Sequence, residues 1–285
     1  MNPIPVTDQA AASAGAASAG AGSAPAGSTA AGSSPPAKPV PGRVAFVGTG
    51  PGDEGLLTLR AAALLGEADL VVASPEIAAR FGHLIRPGAA TAGSEALAQD
   101  PKLLVKAARA GQLVVRLYAG DPFLFCHAAT EAAACAKAKV VIEVVPGMPS
   151  ATTVPAYAGI PLTSDTNQDV RIIHASEVSR VQAGPGSLVI LGAETGLPDL
   201  GKMLAAAGWK ENTPLAITWN GTTTNQQTVV TTLGSVTADL KAAGISPLTA
   251  YGPAVAVVGD GIAAHRALSW FETKPLFGWR VLVPR

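Results

Sequence analysis

From Arg43 to Gly259, short β-branched runs alternate with Ala- and Leu-rich stretches of helical period. That alternation restricts the chain to an α/β architecture assembled from βα units. The runs Arg43–Val47, Asp69–Ala73, Val114–Tyr118 and Val140–Val145 predict the strands of a first lobe. After the first of them, Leu57, Ala61, Leu64, Leu65 and Ala68 recur at i, i+4, i+7, i+8 and i+11, one face of a helix that Asp53 is placed to cap. Further strands are expected at Val170–His174, Leu188–Leu191, Pro214–Trp219, Gln227–Thr232 and Ala254–Gly259, in a second lobe entered through the apolar segment Val154–Leu162. Each lobe is expected to be a mainly parallel sheet flanked by helices.

The ends read differently. Residues 1–42 are nearly all Ala, Ser, Gly and Pro, with Asp8 and Lys38 as the only charges, and are expected to form a disordered arm with nothing to bury against backbone entropy. The arm lacks the basic start of a secretory signal and the Arg content of a transit peptide. At the other end, 274–285 reads as a linker and the first strand of a further domain. The expected organisation is therefore an arm over 1–42, lobes over 43–158 and 159–273, and that closing segment.

Charge narrows the partners. Lys and Arg number 20 and Asp and Glu 20, so the net charge is zero and no basic stripe recruits nucleic acid or an anionic membrane surface. Uncharged stretches are broken by Gly and Pro before the ~18 apolar residues of a membrane span. Cys126 and Cys135 lie nine apart in one expected helix, about 13 Å at the helical rise, too far for a disulfide and in keeping with a reducing cytoplasm. His83, His127, His174 and His265 show no ligand spacing, and no metal site is expected.

Three loops follow predicted strands. Gly48-Thr49-Gly50-Pro51-Gly52-Asp53-Glu54 is not a phosphate loop, because Leu56-Leu57 stand where Lys and Ser/Thr are needed. Asp53 and Glu54 at a helix start would repel a pyrophosphate, so the loop suits a ligand that is not anionic there. Ala119-Gly120-Asp121-Pro122 and Pro146-Gly147-Met148-Pro149-Ser150 are the second and third loops. Singly, each is most simply a tight turn. Together they mark the carboxyl edge of a sheet, where open α/β folds bind ligands.

These runs, with Leu56-Leu57-Thr58-Leu59-Arg60, Val114-Val115-Arg116-Leu117, Gly120-Asp121-Pro122-Phe123, Pro155-Ala156-Tyr157-Ala158-Gly159-Ile160-Pro161-Leu162-Thr163, Asn220-Gly221-Thr222-Thr223 and Pro253-Ala254-Val255, resemble the tetrapyrrole (corrin/porphyrin) methylases. Within that family the nearest likeness is to the uroporphyrinogen-III C-methyltransferases. The resemblance covers about Arg43 to Phe271, and Pro275-Leu276-Phe277-Gly278 with Arg280-Val281-Leu282-Val283 is similar to the start of a uroporphyrinogen-III synthase domain.

The resemblance implies two α/β lobes with S-adenosylmethionine (SAM) between them, usually in a homodimer, and methyl transfer to ring carbons of a reduced tetrapyrrole in the siroheme and cobalamin branch. It implies cofactor contacts at Pro51, Ala119, Gly120, Asp121, Leu124, Ser150, Ala151, Gly192 and Gly221. Arg116 and Arg171 keep family positions and are candidates to meet substrate carboxylates. The acid–base positions of the family are not kept. After the second strand the chain runs Val72-Ala73-Ser74-Pro75, without the family's Asp, and Gly93-Ser94 replaces Gly-Lys. Gly192 stands for a cofactor-contacting Met. His127 is the candidate replacement base, against the plainer reading of an exposed helix histidine. Two readings follow: an active SAM-dependent C-methyltransferase, or a catalytically lapsed methylase lobe serving as scaffold or regulator of a fused synthase. A methyltransferase of the same fold with a different substrate class is a third.

Overall fold

The computed structural model describes residues 41–195, 197–245 and 252–279. The expected arm, but for its last two residues, and the strand-like run from Arg280 lie outside the described residues.

In the first lobe, β1 (Arg43–Gly48), β2 (Leu70–Ala73), β3 (Ala90–Gly93), β4 (Leu113–Tyr118) and β5 (Val141–Val145) form a sheet in the order β3-β2-β4-β1-β5. Every pairing in it is parallel. Both faces of the central strands are buried, which is why their sequences read as continuous apolar runs. On one face Ala45, Val47, Val115 and Leu117 pack with Ala61, Leu64 and Leu65 of α1 (Leu59–Glu67) and with Ile77 and Phe81 of α2 (Pro75–Phe81). On the other, Val44, Phe46, Val114 and Tyr118 pack with Leu104 and Ala107 of α4 (Leu103–Arg109) and with Ala128, Ala132 and Cys135 of α5 (Ala128–Lys137), while α3 (Glu95–Gln99) is a single exposed turn after β3. Alternation along each strand sends successive side chains to the two layers.

Local details depart from expectation. β3 is an unanticipated edge strand, since Ala90-Thr91-Ala92-Gly93 holds one β-branched residue. Thr58, not Asp53, caps α1; Asp53 instead caps a separate 3-10 turn, Glu54–Leu56, through a 2.8 Å bond accepted by Oδ1 from the Gly55 amide. Cys126 precedes α5 and only Cys135 lies in it; both are free thiols.

α6 (Ser150–Tyr157) leads into the second lobe: β6 (Val170–His174), β7 (Ser187–Leu191), α7 (Leu197–Ala206), β8 (Pro214–Trp219), β9 (Gln227–Thr232), α8 (Val236–Ala242), β10 (Ala254–Val258) and α9 (His265–Leu268). The sheet order is β6-β7-β10-β8-β9, and only β6 and β7 run parallel. The two-lobed α/β fold is as expected, but the second sheet is mainly antiparallel rather than mainly parallel. The physical reason lies in the links. β8 and β9 are joined by residues 220–226, far fewer than the dozen or so a parallel crossover needs.

One face of the second sheet carries the larger apolar core, with Leu188, Ile190, Leu215, Ile217 and Val258 against Leu200, Leu204, Val236 and Leu240. The other face is covered by the chain that joins the lobes. Val189 and Val255 pack on Ala151 and Val154 of α6 and on Leu124 of the second loop, and Ala216 and Val257 pack on Ala158, Ile160 and Ile262. An edge-on aromatic cluster of Tyr157, Trp270 and Phe271 pins the segment after α9 to α6, and Trp270 Nε1 donates to the Ala156 carbonyl at 3.1 Å. Among the described residues no helix is long and apolar enough to cross a membrane.

Candidate functional site

Parallel order places the carboxyl ends of β1, β4 and β5 side by side, so the three loops after them are forced together. Gly50 and Gly120 form a two-residue antiparallel bridge, with amide-to-carbonyl distances of 3.2 and 2.8 Å. The approach leaves no room for side chains: a Cβ on Gly48 would lie 2.4 Å from the Gly120 carbonyl oxygen, and one on Gly147 2.1 Å from the same atom. Asp121 ties the second loop to the third. Its Oδ1 accepts from the Phe123 amide at 2.8 Å and its Oδ2 from the Gly147 amide at 3.3 Å.

The second lobe closes on this edge. Asp53 donates its amide to Thr222 Oγ1 at 2.9 Å, and its Oδ2 accepts from Tyr157 Oη at 2.8 Å. Burial, the bond to Asp53 and the Asp53 charge together push the Tyr157 phenol up to about 12. Thr222, at φ +69, donates its amide to Gln226 Oε1 at 2.7 Å, which holds the loop after β8 in the shape that meets Gly52.

Between the lobes is a cavity of about 200 Å³ that opens to solvent. Pro51 of the first loop, Ser150 and Val154 of α6, Leu191 and Gly192 after β7, Asn220 and Gly221 after β8, and Pro253, Ala254 and Val255 at the start of β10 line it. Four of the nine expected cofactor contacts, Pro51, Ser150, Gly192 and Gly221, are thus brought to one cavity. Ala119, Gly120 and Asp121 lie in the second loop and act on its shape; Leu124 and Ala151 belong to the apolar seam beneath the cavity.

Charged groups at this site escaped the sequence reading. Arg80 of α2 and Glu194 beyond β7 also line the cavity, and Glu194 Oε2 accepts from the Ala254 amide at 2.9 Å. Their side chains turn inward only because of how α2 and the turn after β7 lie on their sheets, which no spacing announces. His174, at the end of β6, lies beside Gly192 but is exposed and is not among the residues lining the cavity. A Cβ on Gly192 would sit 2.8 Å from its Nε2, and its ring lies 6.1 Å from that of Phe125 in the second loop. The glycine that replaces a methionine-sized residue therefore makes room for an imidazole where the lobes meet. His127 is likewise exposed, just before α5, and lines no part of the cavity.

The two strand arginines are a correction. Neither lines the cavity. Arg116 is buried, its Nε 3.2 Å from Glu131 Oε2 and its Nη1 2.9 Å from Ser94 Oγ, with its guanidinium 4.6 Å from the Tyr118 ring centroid. Tyr118 Oη donates to the same Glu131 at 2.8 Å, and burial followed by that bond pushes its phenol far up. Arg171 donates Nη1 to the Gln182 carbonyl at 2.8 Å and lies over Trp209, with Nε and Nη2 buried without partners. Each is consumed inside its own lobe because β-strand alternation points it at a helical layer. Ser74 precedes α2 and Ser94 is held by Arg116, so the positions of the family's acid–base groups carry only hydroxyls.

The tetrapyrrole (corrin/porphyrin) methylase family model matches residues 43–237, from β1 of the first lobe into α8 of the second. The chain belongs to that family. It is 36% identical over 249 residues to siroheme synthase 1 of Klebsiella pneumoniae and 35% identical over 262 residues to the porphyrin biosynthesis protein HemD of Ruminiclostridium josui. These alignments cover 81% and 86% of the chain but 51% of each relative, so the chain spans about half the length of the curated relatives it matches. Among solved structures, the Thermus thermophilus uroporphyrin-III C-methyltransferase complexed with S-adenosyl homocysteine superposes with a TM-score of 0.63 at 29% identity, over 78% of this chain and 99% of that one.

The cavity fits such a cofactor on its own chemistry. It has no basic cluster for phosphates, one cation and one anion among its lining residues, and otherwise apolar residues, hydroxyls, an amide and loop backbone, which suits a zwitterionic ligand carrying an aromatic base.

Proposed function

We propose that the chain is a SAM-dependent C-methyltransferase that acts on uroporphyrinogen III or a closely related tetrapyrrole in the siroheme and cobalamin branch. The observation that carries this reading is the convergence of Pro51, Ser150, Gly192 and Gly221, from four different loops or elements, on the one cavity between the lobes. The relatives named above supply the substrate class, and the Thermus structure the cofactor class. In this reading Pro51, Ser150, Gly192 and Gly221 hold the cofactor, which supplies an electrophilic methyl group when bound. The chain's own contribution is alignment, since a bound near-attack geometry is worth ~7 kcal/mol or more of a bimolecular barrier. Leu124, Val154 and Val255 exclude water beneath the site.

A specific observation also favours the lapsed reading. Ser94 Oγ is committed to Arg116, so the position of the family's Lys does structural service only. One experiment separates the two: anaerobic incubation with methyl-labelled SAM and uroporphyrinogen III, reading label in the tetrapyrrole by mass. Labelled product is the expected result. SAM binding without any label rejects the enzyme and leaves the scaffold. A homodimer and a fused synthase are further parts of the proposal; sedimentation of the chain tests the first.

A further inference from the structure

We infer that Arg80 is the carboxylate anchor of the cavity between the lobes, an inference that rests on reading that cavity as the methylase ligand site. The segment that carries it is short and local. Ser74 precedes α2, Pro75 opens it, and Ile77 and Phe81 turn one face into the first lobe's core. Arg80, three residues after Ile77 and one before Phe81, flanks that buried face and reaches past it to the cavity wall.

Two independent observations point to Arg80. Among the described residues it is the only basic one lining the cavity. It also has no carboxylate within ion-pair distance among the described residues, whereas Arg43, Arg60, Arg86, Arg116 and Arg180 each have at least one. Its one recorded partner is the Phe81 ring, 5.9 Å from the guanidinium carbon. A half-buried guanidinium facing a largely apolar wall is costly unless an anion meets it, and its planar fork matches a carboxylate with two parallel bonds. The acidic residue of the wall, Glu194, is held on the opposite lobe by the Ala254 amide, leaving the cation free for a ligand.

A carboxylate can reach Arg80 from either ligand of the proposed reaction: the amino-acid end of the cofactor, or an acetate or propionate arm of the tetrapyrrole. Calorimetric titrations of the chain and its Arg80→Met variant distinguish them, using S-adenosylhomocysteine, methylthioadenosine, which lacks the amino-acid carboxylate, and uroporphyrin III. A loss of tenfold or more for S-adenosylhomocysteine with methylthioadenosine unchanged assigns the cofactor carboxylate. An equal loss confined to uroporphyrin III assigns the tetrapyrrole arm. Arg80→Lys, which keeps the charge without the fork, recovers part of the affinity in either case, and unchanged thermal melts exclude a folding defect. Unaltered affinities for all three ligands in both variants overturn the inference while leaving the methylase reading intact. Failure of the unmodified chain to bind any of the three overturns the methylase reading and this inference with it.

Discussion

The two lobes bury sheets of equal strand number by different means, and the difference decides how each contributes to the site. In the first lobe all neighbours are parallel, so every strand delivers its carboxyl end to one edge and the loops after β1, β4 and β5 stack there. In the second, β10 runs against both β7 and β8. Val255 pairs with Leu191 and Ala254 with Trp219, so the beginning of β10 lies beside the ends of its neighbours. That is why Pro253, Ala254 and Val255 line the cavity although they precede a strand rather than follow one. A ligand edge is thus set by strand direction and not by the side of a strand on which a loop falls in sequence.

The largest expected effect breaks the contrast at its tightest point. Gly48→Val puts a branched side chain against backbone of the second and third loops, and should cost about 3 kcal/mol or more. Gly221→Ala meets the Val154 side chain rather than backbone, with one methyl instead of a branched group, and should cost about half as much. Urea melts of the two variants check the order; a larger loss at Gly221 would contradict it.

Next come the strand arginines. Glu131→Gln strips the partner from buried Arg116 and should destabilise the chain by ~3 kcal/mol. Arg171→Met removes a guanidinium with two unpartnered nitrogens from above Trp209 and should change stability by no more than about 1 kcal/mol, in either direction. Equal losses in the two variants would show that Arg171 has a partner in solution.

The seam between lobes titrates. Tyr157 has a phenol raised to about 12, so its neutral form is the one the fold favours. The stability it contributes is complete below the ordinary tyrosine value near 10 and is lost as pH rises through about 12. Asp53→Asn removes the charge-assisted bond but not the burial, so phenolate absorbance should develop at lower pH without reaching the ordinary value. An unmoved titration would mean the contact between Asp53 and Tyr157 does not form.

The smallest effect concerns the imidazole. Gly192 sits at φ +70, so Gly192→Ala should cost ~1 kcal/mol from the backbone and crowd His174 besides. His174→Ala in the same chain should relieve the crowding but not the backbone part, measurable as a partial recovery of thermal stability.

Much of this molecule was legible before any tertiary contact. Among the described residues, nine of the ten strands follow from β-branched runs, and the three glycine loops after β1, β4 and β5 from their Gly and Pro punctuation. β3 was not, because Ala-Thr-Ala-Gly becomes a strand only by pairing with β2. Strand direction in the second lobe was partly legible: the short link 220–226 signals a hairpin, a cue the general βα alternation overrides. Arg80 was not legible as a site residue, and Arg116 and Arg171, which read as ligand groups, line no part of the cavity.

What the chain determines by itself is local: which segments extend, where they turn, and the order of motifs that ties it to its family. Those features depend on residues adjacent in sequence, where β-branching, Gly and Pro act directly on backbone dihedrals. The tertiary structure decides which side chains face the cavity. Tyr157 reaches Asp53 across 104 residues and Arg80 shares a wall with Val255, pairings that exist only once the two sheets pack through α6 and fix their rotation about it. A one-residue change of register would exchange the faces of a strand, so the site is a property of packing while the fold class is a property of pattern.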